Sequence, residues 1–100
     1  MRMTTDVAEV KHLIDMNDQR WKLQTGWVRL VMKSGDTHTG LIVAERAHNT
    51  GTAIPSAYGG DITLNIGGTI DKNGFVNGGQ AQTFDLLDVE RIEPAGMRTN

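Results

Sequence analysis

A helical pattern of apolar residues occupies the start of the chain, over residues 5–17. Its members recur at intervals of three and four and so mark one face of a helix: Val7, Val10, Leu13 and Ile14, with Asn17 and Trp21 continuing the same face. Asp6 is a good N-cap residue, and Glu9 lies three residues later at the capping-box position. Because a helix this short is marginal alone in water, its apolar stripe is expected to pack on the rest of the protein.

From Trp27 the period of the pattern changes to two, which is typical of strands. Residues 27–33 and 37–44 alternate in this way, and residues 34–36, Ser-Gly-Asp, form a turn sequence between them. We therefore expect an antiparallel hairpin. Gly40 lies inside the second strand, where a glycine usually marks a bend, so the hairpin is expected to curl.

The rest of the chain predicts a loop and three further strands. Residues 45–61 include a proline and several glycines, and they predict a long loop of the kind that often carries function. Strands follow at 62–66 and 75–86, the latter interrupted by a Gly-Gly step. A tight turn then leads to a short closing strand that ends at Pro94.

These elements predict one mainly β (α+β) domain over residues 1–94, with residues 95–100 as a flexible C-terminal tail. An N-terminal helix precedes five strongly bent antiparallel strands. So short a sheet is best completed by closing into a barrel, which removes most of its free edges.

The first hairpin resembles the first motif of the Sm-like (LSm) family. Leu30 and Met32 belong to an apolar alternating strand, residues 33–35 form the Lys-x-Gly turn, and Gly40 precedes two aliphatic residues. The resemblance implies an N-terminal helix followed by a five-stranded, strongly bent antiparallel SH3/Sm-like barrel. It also implies assembly into rings or dimers, and it raises RNA binding as a function.

The RNA-contacting elements of that family differ in this chain. Its Asp-x-x-Asn segment corresponds to residues 45–49, Glu-Arg-Ala-His-Asn, where Asn49 is the nearest candidate. Its Arg-Gly pair corresponds to residues 87–89, Leu-Asp-Val. The resemblance therefore implies the fold and self-assembly more strongly than nucleic-acid binding. The overall composition also resembles that of orphan proteins carried on mobile gene cassettes.

Composition and charge narrow the classes further. The chain has 100 residues and no cysteine, which excludes disulfides and thiolate metal sites. Its 10 basic and 12 acidic residues are interspersed, a balance that disfavours nucleic acid as a partner. No apolar run approaches the roughly 20 residues needed to cross a bilayer, and the N-terminus does not read as a secretory signal. We therefore expect a cytoplasmic protein with no membrane partner.

Candidate chemistry is sparse. The three histidines share no metal-ligand spacing, and the carboxylate pairs near the C-terminus are typical of solvated strand ends. We therefore predict no catalytic residue, no metal site and no cofactor. Ligand or partner contact is predicted at five residues: Trp21, Trp27, His48, Asn49 and Tyr58. The alternative for the two tryptophans is that they fill the seam between helix and sheet.

Self-association is predicted from the charge-poor half of the chain. Residues 47–84 carry three formal charges, and a hairpin so poor in charge lacks the usual protection of an exposed edge. The predicted oligomer interface consists of Ile62, Leu64, Ile66, Phe75 and Val76.

The leading functional hypothesis is a non-enzymatic binding module that forms a homo-oligomer and contacts a protein or small-molecule ligand. The alternative is an Sm-like RNA-binding barrel. A third class is a small oligomeric enzyme whose site forms between copies, where Trp27, Tyr58 and a carboxylate would line the pocket.

Overall fold

A computed structural model describes residues 2–23, 26–49 and 57–95 of the chain. One helix packs on a five-stranded antiparallel sheet, and a two-stranded hairpin projects from it. The elements are α1 (Val7–Lys22), β1 (Trp27–Met32), β2 (Thr37–Asn49), β3 (Tyr58–Ile66), β4 (Thr69–Ile70), β5 (Val76–Asn77), β6 (Gln80–Asp85), a 3₁₀ turn (Leu86–Asp88) and β7 (Val89–Pro94).

The order of the strands requires the sheet to bend. The order is β6-β3-β2-β1-β7, so β6 and β7 are the two edges, yet the 3₁₀ turn of three residues joins them. Four residue steps span at most about 14 Å, whereas four intervals of a flat sheet span about 19 Å. The sheet is therefore strongly bent, which confirms the predicted fold class of a helix followed by five bent antiparallel strands.

Closure into a barrel, however, is not observed. Among the described residues β6 pairs with β3 and β7 pairs with β1, but the two edges do not pair with each other. Closure would need β6 and β7 to run side by side, whereas they meet only through the short 3₁₀ turn. The prediction of a closed barrel was wrong, and both edges need another explanation for how they are protected.

The β1–β2 hairpin is confirmed, with pairs running from Trp27↔Leu41 to Val31↔Thr37. Gly35 takes a φ of 95° in its turn, a backbone conformation that residues other than glycine rarely adopt. At Gly40 a Cβ atom would lie 2.4 Å from the carbonyl oxygen of Asn65 on β3. Gly40 therefore allows β2 and β3 to approach closely at this position.

The expected long loop over residues 45–61 was wrong at both of its ends. β2 continues to Asn49 and β3 begins at Tyr58, and the two strands pair from Glu45↔Ile62 to Asn49↔Tyr58. We call these paired segments, residues 44–49 and 58–63, the β2–β3 arm. Residues 50–56, including the proline of the predicted loop, lie outside the described part of the chain.

The core lies between α1 and the concave face of the bent sheet. Its buried members come from the helix, from four strands and from the 3₁₀ turn: Leu13, Met16, Val28, Leu30, Ile62, Leu64, Phe84, Leu86, Leu87, Val89 and Ile92. At the start of the predicted tail the Ala95 N–H donates to the Trp27 carbonyl at 3.1 Å, and residues 96–100 lie outside the described residues. Among the described helices none has the length and hydropathy of a membrane span.

Candidate functional site

The face of α1 that packs on the sheet is not the one predicted from the apolar pattern. Met16 is 2% exposed and Leu13 is 9% exposed, so these two residues anchor the helix in the core. Val7 is 84% exposed and Ile14 is 58% exposed. The prediction that the whole stripe packs inward was therefore wrong, because α1 is rotated so that much of its apolar stripe faces outward.

Polar contacts with β7 explain this rotation. His12 Nε2 lies within hydrogen-bond distance of the Val89 carbonyl oxygen, so this nitrogen carries the proton and donates it. Gln19 Oε1 accepts the Ile92 N–H at 2.9 Å. These backbone groups lie on the outer side of an edge strand, where they would otherwise lack partners within the sheet. Two side chains of α1, seven residues apart, therefore cover the β7 edge.

The N-terminal end of α1 is fixed both to its own cap and to the arm. Asp6 accepts the Glu9 N–H at 3.0 Å, which confirms the predicted N-cap. Thr4, just before the helix, exchanges two backbone hydrogen bonds with Tyr58, at 2.8 and 2.9 Å. Its hydroxyl donates to Glu9 Oε1 at 2.8 Å. Tyr58 is therefore held at a fixed position beside the helix.

An open groove of about 340 Å³ lies between the outward stripe of α1 and the arm. Five of its lining residues are apolar or glycine and three carry polar groups: Val10, Leu13, Ile14, Ala47 and Gly59, with Asn17, His48 and Tyr58. We call it the α1–arm groove. It brings together two of the predicted contact residues, His48 and Tyr58. The sequence analysis did not predict that Val10 and Ile14 line a groove. Their apolar spacing identified the stripe but not the side of the helix that is exposed.

The remaining predicted contact residues do not join this groove. Trp27 is 2% exposed, so the structure contradicts its assignment as a contact residue. Because Val28 faces the core and strand side chains alternate, Trp27 lies on the opposite face of β1 and does not fill the helix–sheet seam either. The side chains of Trp21 and Asn49 lie outside the described part of the structure.

The predicted oligomer interface is also partly corrected. Ile62 and Leu64 are 1% and 0% exposed and belong to the core, so they cannot offer a surface to a partner. Ile66 is half-buried and packs against the same core. Phe75 and Val76 are 69% and 38% exposed, beside the turn of the β4–β5 hairpin. The alternating pattern of β3 marked its core face rather than a free face.

Asn65 ties the β4–β5 hairpin to the sheet. Its Oδ1 accepts the Gly68 N–H and its Nδ2 donates to the Gly78 carbonyl, both at 3.1 Å. A Cβ atom at Gly68 or at Gly79 would lie 2.2 or 2.1 Å from that Oδ1. The glycines on both sides of the hairpin therefore make room for one side-chain amide.

Asp71 organises the turn of the same hairpin. Its Oδ1 accepts the N–H of Asn73 at 2.8 Å and that of Phe75 at 3.0 Å, and its Oδ2 accepts from the side-chain amide of Asn77. The hydrogen bond from Phe75 is the largest cause that lowers the pKa of Asp71 below its ordinary value. The exposed Phe75 is thus presented on a turn with defined backbone geometry.

A second, smaller cleft of about 170 Å³ lies on the arm, where it adjoins Thr83 of β6. Its lining includes Arg46 and Asp61, which face each other as a cross-strand pair, and Thr63 and Thr83, whose hydroxyls lie 2.8 Å apart. Over the described ranges no group of three or more His, Cys, Asp or Glu side chains is arranged to hold a metal ion. The α1–arm groove is the better candidate for binding, because it is larger and exposes apolar side chains.

The chain matches no protein family, no curated protein and no solved structure. The structure itself is a small antiparallel β domain with an N-terminal helix, compatible with a small barrel-like fold. The function of the protein is therefore inferred from the α1–arm groove and the outward stripe of α1.

Proposed function

We propose that this protein is a non-enzymatic interaction module that acts as a homo-oligomer, with the outward stripe of α1 and the α1–arm groove as its contact surface. The observation that carries the proposal is the exposure of Val7 and Ile14, at 84% and 58%, on a helix whose opposite face packs through polar contacts. Contiguous apolar surface of this kind commonly marks a protein interaction site.

The cost of the observed helix orientation supports this assignment. Burying an aliphatic side chain is worth about 1.5–3 kcal/mol. Within one chain Ile14 and Val7 do not gain this free energy, because Met16 and Leu13 occupy the packed face of α1. A partner that covers the stripe would recover it while leaving His12 and Gln19 on the β7 edge.

The shape of the groove supports contact with another protein surface rather than catalysis. Three of the four α1 residues that line it are apolar, and the arm supplies the rest of the lining. Tyr58 is held there by its backbone pairing with Thr4, so the wall is formed before a partner arrives. A tyrosine that is 38% exposed, as Tyr58 is, belongs to the residue types that are common anchors in protein interfaces.

Sedimentation velocity over a range of concentrations tests the proposal. We expect the wild-type chain to sediment as an oligomer and Ile14→Glu to sediment as a monomer with an unchanged circular dichroism spectrum. The matched control is Val43→Glu, because Val43 is a 50% exposed aliphatic residue on β2 outside the groove lining. A monomeric wild-type chain contradicts the proposal. If Phe75→Ala dissociates the oligomer and Ile14→Glu does not, the interface lies on the β4–β5 hairpin instead.

The Sm-like alternative of RNA binding is less well supported. Three arginines are engaged by neighbouring carboxylates: Arg2 with Asp85 and Asp88, Arg20 with Glu45, and Arg91 with Glu90 and Glu93. Cations neutralised in this way contribute little to the release of counterions from phosphates. A gel-shift series with single-stranded RNA across salt concentrations separates the two functions, and tight, salt-dependent binding would favour the alternative.

A further inference from the structure

We propose that α1 of a second copy occupies the outward stripe, packed antiparallel to the first helix about a two-fold axis close to Ile14. This inference rests on the proposed function, namely that the outward face of α1 is the contact surface. It adds the identity of the partner element, its direction and its register.

The spacing of the outward residues is that of one side of a helix pair. Val7, Val10, Ile14 and Asn17 follow one another at intervals of three, four and three residues, which is the spacing of the core seam in paired helices. The helix has 16 residues, a length of about 24 Å. It therefore offers about two heptads of seam, and the opposite face is already engaged with β7.

The charges beside this seam determine the direction of the pairing. Lys11 and Asp18 are seven residues apart, so they flank the seam on the same side, and both are exposed. Among the described residues neither belongs to an ion pair. In a parallel two-fold pair the two copies of Lys11 lie at one level but on opposite sides of the seam, as do the two copies of Asp18, so Lys11 does not reach Asp18 of the second copy.

An antiparallel pair reverses these contacts. Lys11 then lies beside Asp18 of the second copy, and the two-fold axis repeats the same contact at the other end. Flanking charges of this kind set the partner and the orientation of paired helices. The charge pattern of α1 is therefore complementary to itself in the antiparallel direction, whereas in a parallel pair Lys11 and Asp18 do not meet.

The groove fits the same arrangement. Val10, Ile14 and Asn17 belong both to the seam and to the lining of the α1–arm groove. A helix seated on the seam therefore lies over the mouth of the groove and comes next to Tyr58, which is 38% exposed in the single chain. The contact would thus include the arm of each copy as well as the two helices.

A charge-swap experiment tests the direction and the register together. Sedimentation velocity would be measured at low salt for the wild type, for Lys11→Glu, for Asp18→Lys, for the double variant and for an equimolar mixture of the two single variants. Both positions are exposed, so circular dichroism should be unchanged. The control is Lys72→Glu, an exposed charge on the β4–β5 hairpin.

The expected wild-type species has twice the chain mass of 10.9 kDa. Each single variant should weaken the dimer about tenfold or more, because two attractive contacts become repulsive. The double variant should restore the homodimer, and the mixture should form a heterodimer, since Glu at one position then meets Lys at the other.

The failures of the two proposals are distinguishable. A wild-type chain that stays monomeric overturns both. A wild-type oligomer that is unaffected by the single variants overturns the antiparallel register and leaves the interaction module in place. Single variants that weaken the dimer without recovery in the mixture also overturn the register, because the charge effect is then not reciprocal.

Discussion

The side chain of Gln19 accepts the backbone N–H of Ile92 at 2.9 Å, across 73 residues of sequence. This contact joins the helix to the edge strand β7 and, with His12 on Val89, fixes which face of α1 packs inward. The cover of the β7 edge and the exposure of the apolar stripe are thus two results of one helix orientation.

The Gln19–Ile92 hydrogen bond should contribute measurably to stability. Gln19→Ala leaves a partly buried N–H without its acceptor, which costs about 1–3 kcal/mol of the free energy of unfolding. Gln19→Glu keeps an oxygen acceptor and should lose less. The measurement is urea unfolding, with Gln82→Ala as the control because Gln82 is exposed on β6. An equal loss for Gln19→Ala and Gln82→Ala would show that the contact contributes little.

Two glycines of the hairpin form a matched pair for testing the Asn65 contacts. Gly67 and Gly79 have similar φ values of 83° and 77°, so alanine at either position carries a similar backbone strain of about 1–2 kcal/mol. They differ in space, because a Cβ at Gly67 meets nothing within 4 Å, whereas one at Gly79 lies 2.1 Å from Asn65 Oδ1 and 2.6 Å from the Gly68 nitrogen.

Gly79→Ala should therefore destabilise the protein by at least about 1 kcal/mol more than Gly67→Ala, since overpacking adds to the strain. Thermal or urea unfolding of the two variants measures the difference. Equal losses would mean that the Asn65 amide does not occupy the space between the two sides of the hairpin.

The stability of the turn in the β4–β5 hairpin should decrease at acid pH. Because the pKa of Asp71 is lowered in the folded state, its hydrogen bonds add stability above the ordinary aspartate pKa of about 3.9 and lose it as the pH falls through the lower folded value. The Phe75 amide resonance should report this change, with a midpoint below 3.9, and Asp71→Asn should abolish the titration. A midpoint at or above the ordinary value would contradict the account.

Much of the fold follows from local sequence signals. The Asp6 cap and the turn at Gly35 depend on neighbours in the sequence, and both were predicted correctly. The alternation predicted over residues 27–33 is that of a strand whose Val28 and Leu30 lie in the core. Gly40 has a role that its sequence position alone did not specify, because a Cβ atom there would collide with the β3 backbone.

The candidate site could not be predicted in the same way. The orientation of α1 depends on backbone groups of β7 that accept or donate to His12 and Gln19, which no helical pattern reveals. The apolar pattern therefore placed Val7 and Ile14 on the packed face, whereas both are exposed. The arm was predicted to be a loop because its two segments, which pair as in Glu45↔Ile62, lack a clear alternation of apolar and polar residues. Ile62 and Leu64 were assigned to an interface because the pattern identifies an apolar face without saying what covers it.

The central claim is that α1 packs through Met16 and presents Ile14 outward, and the stability of two alanine variants tests it most directly. Urea unfolding would be measured at a concentration low enough for the wild type to be monomeric. Met16→Ala should lose about 2–5 kcal/mol of the free energy of unfolding, and Ile14→Ala should lose less than about 0.5 kcal/mol. A large loss for Ile14→Ala with a small one for Met16→Ala would contradict the helix orientation, and with it the proposed contact surface.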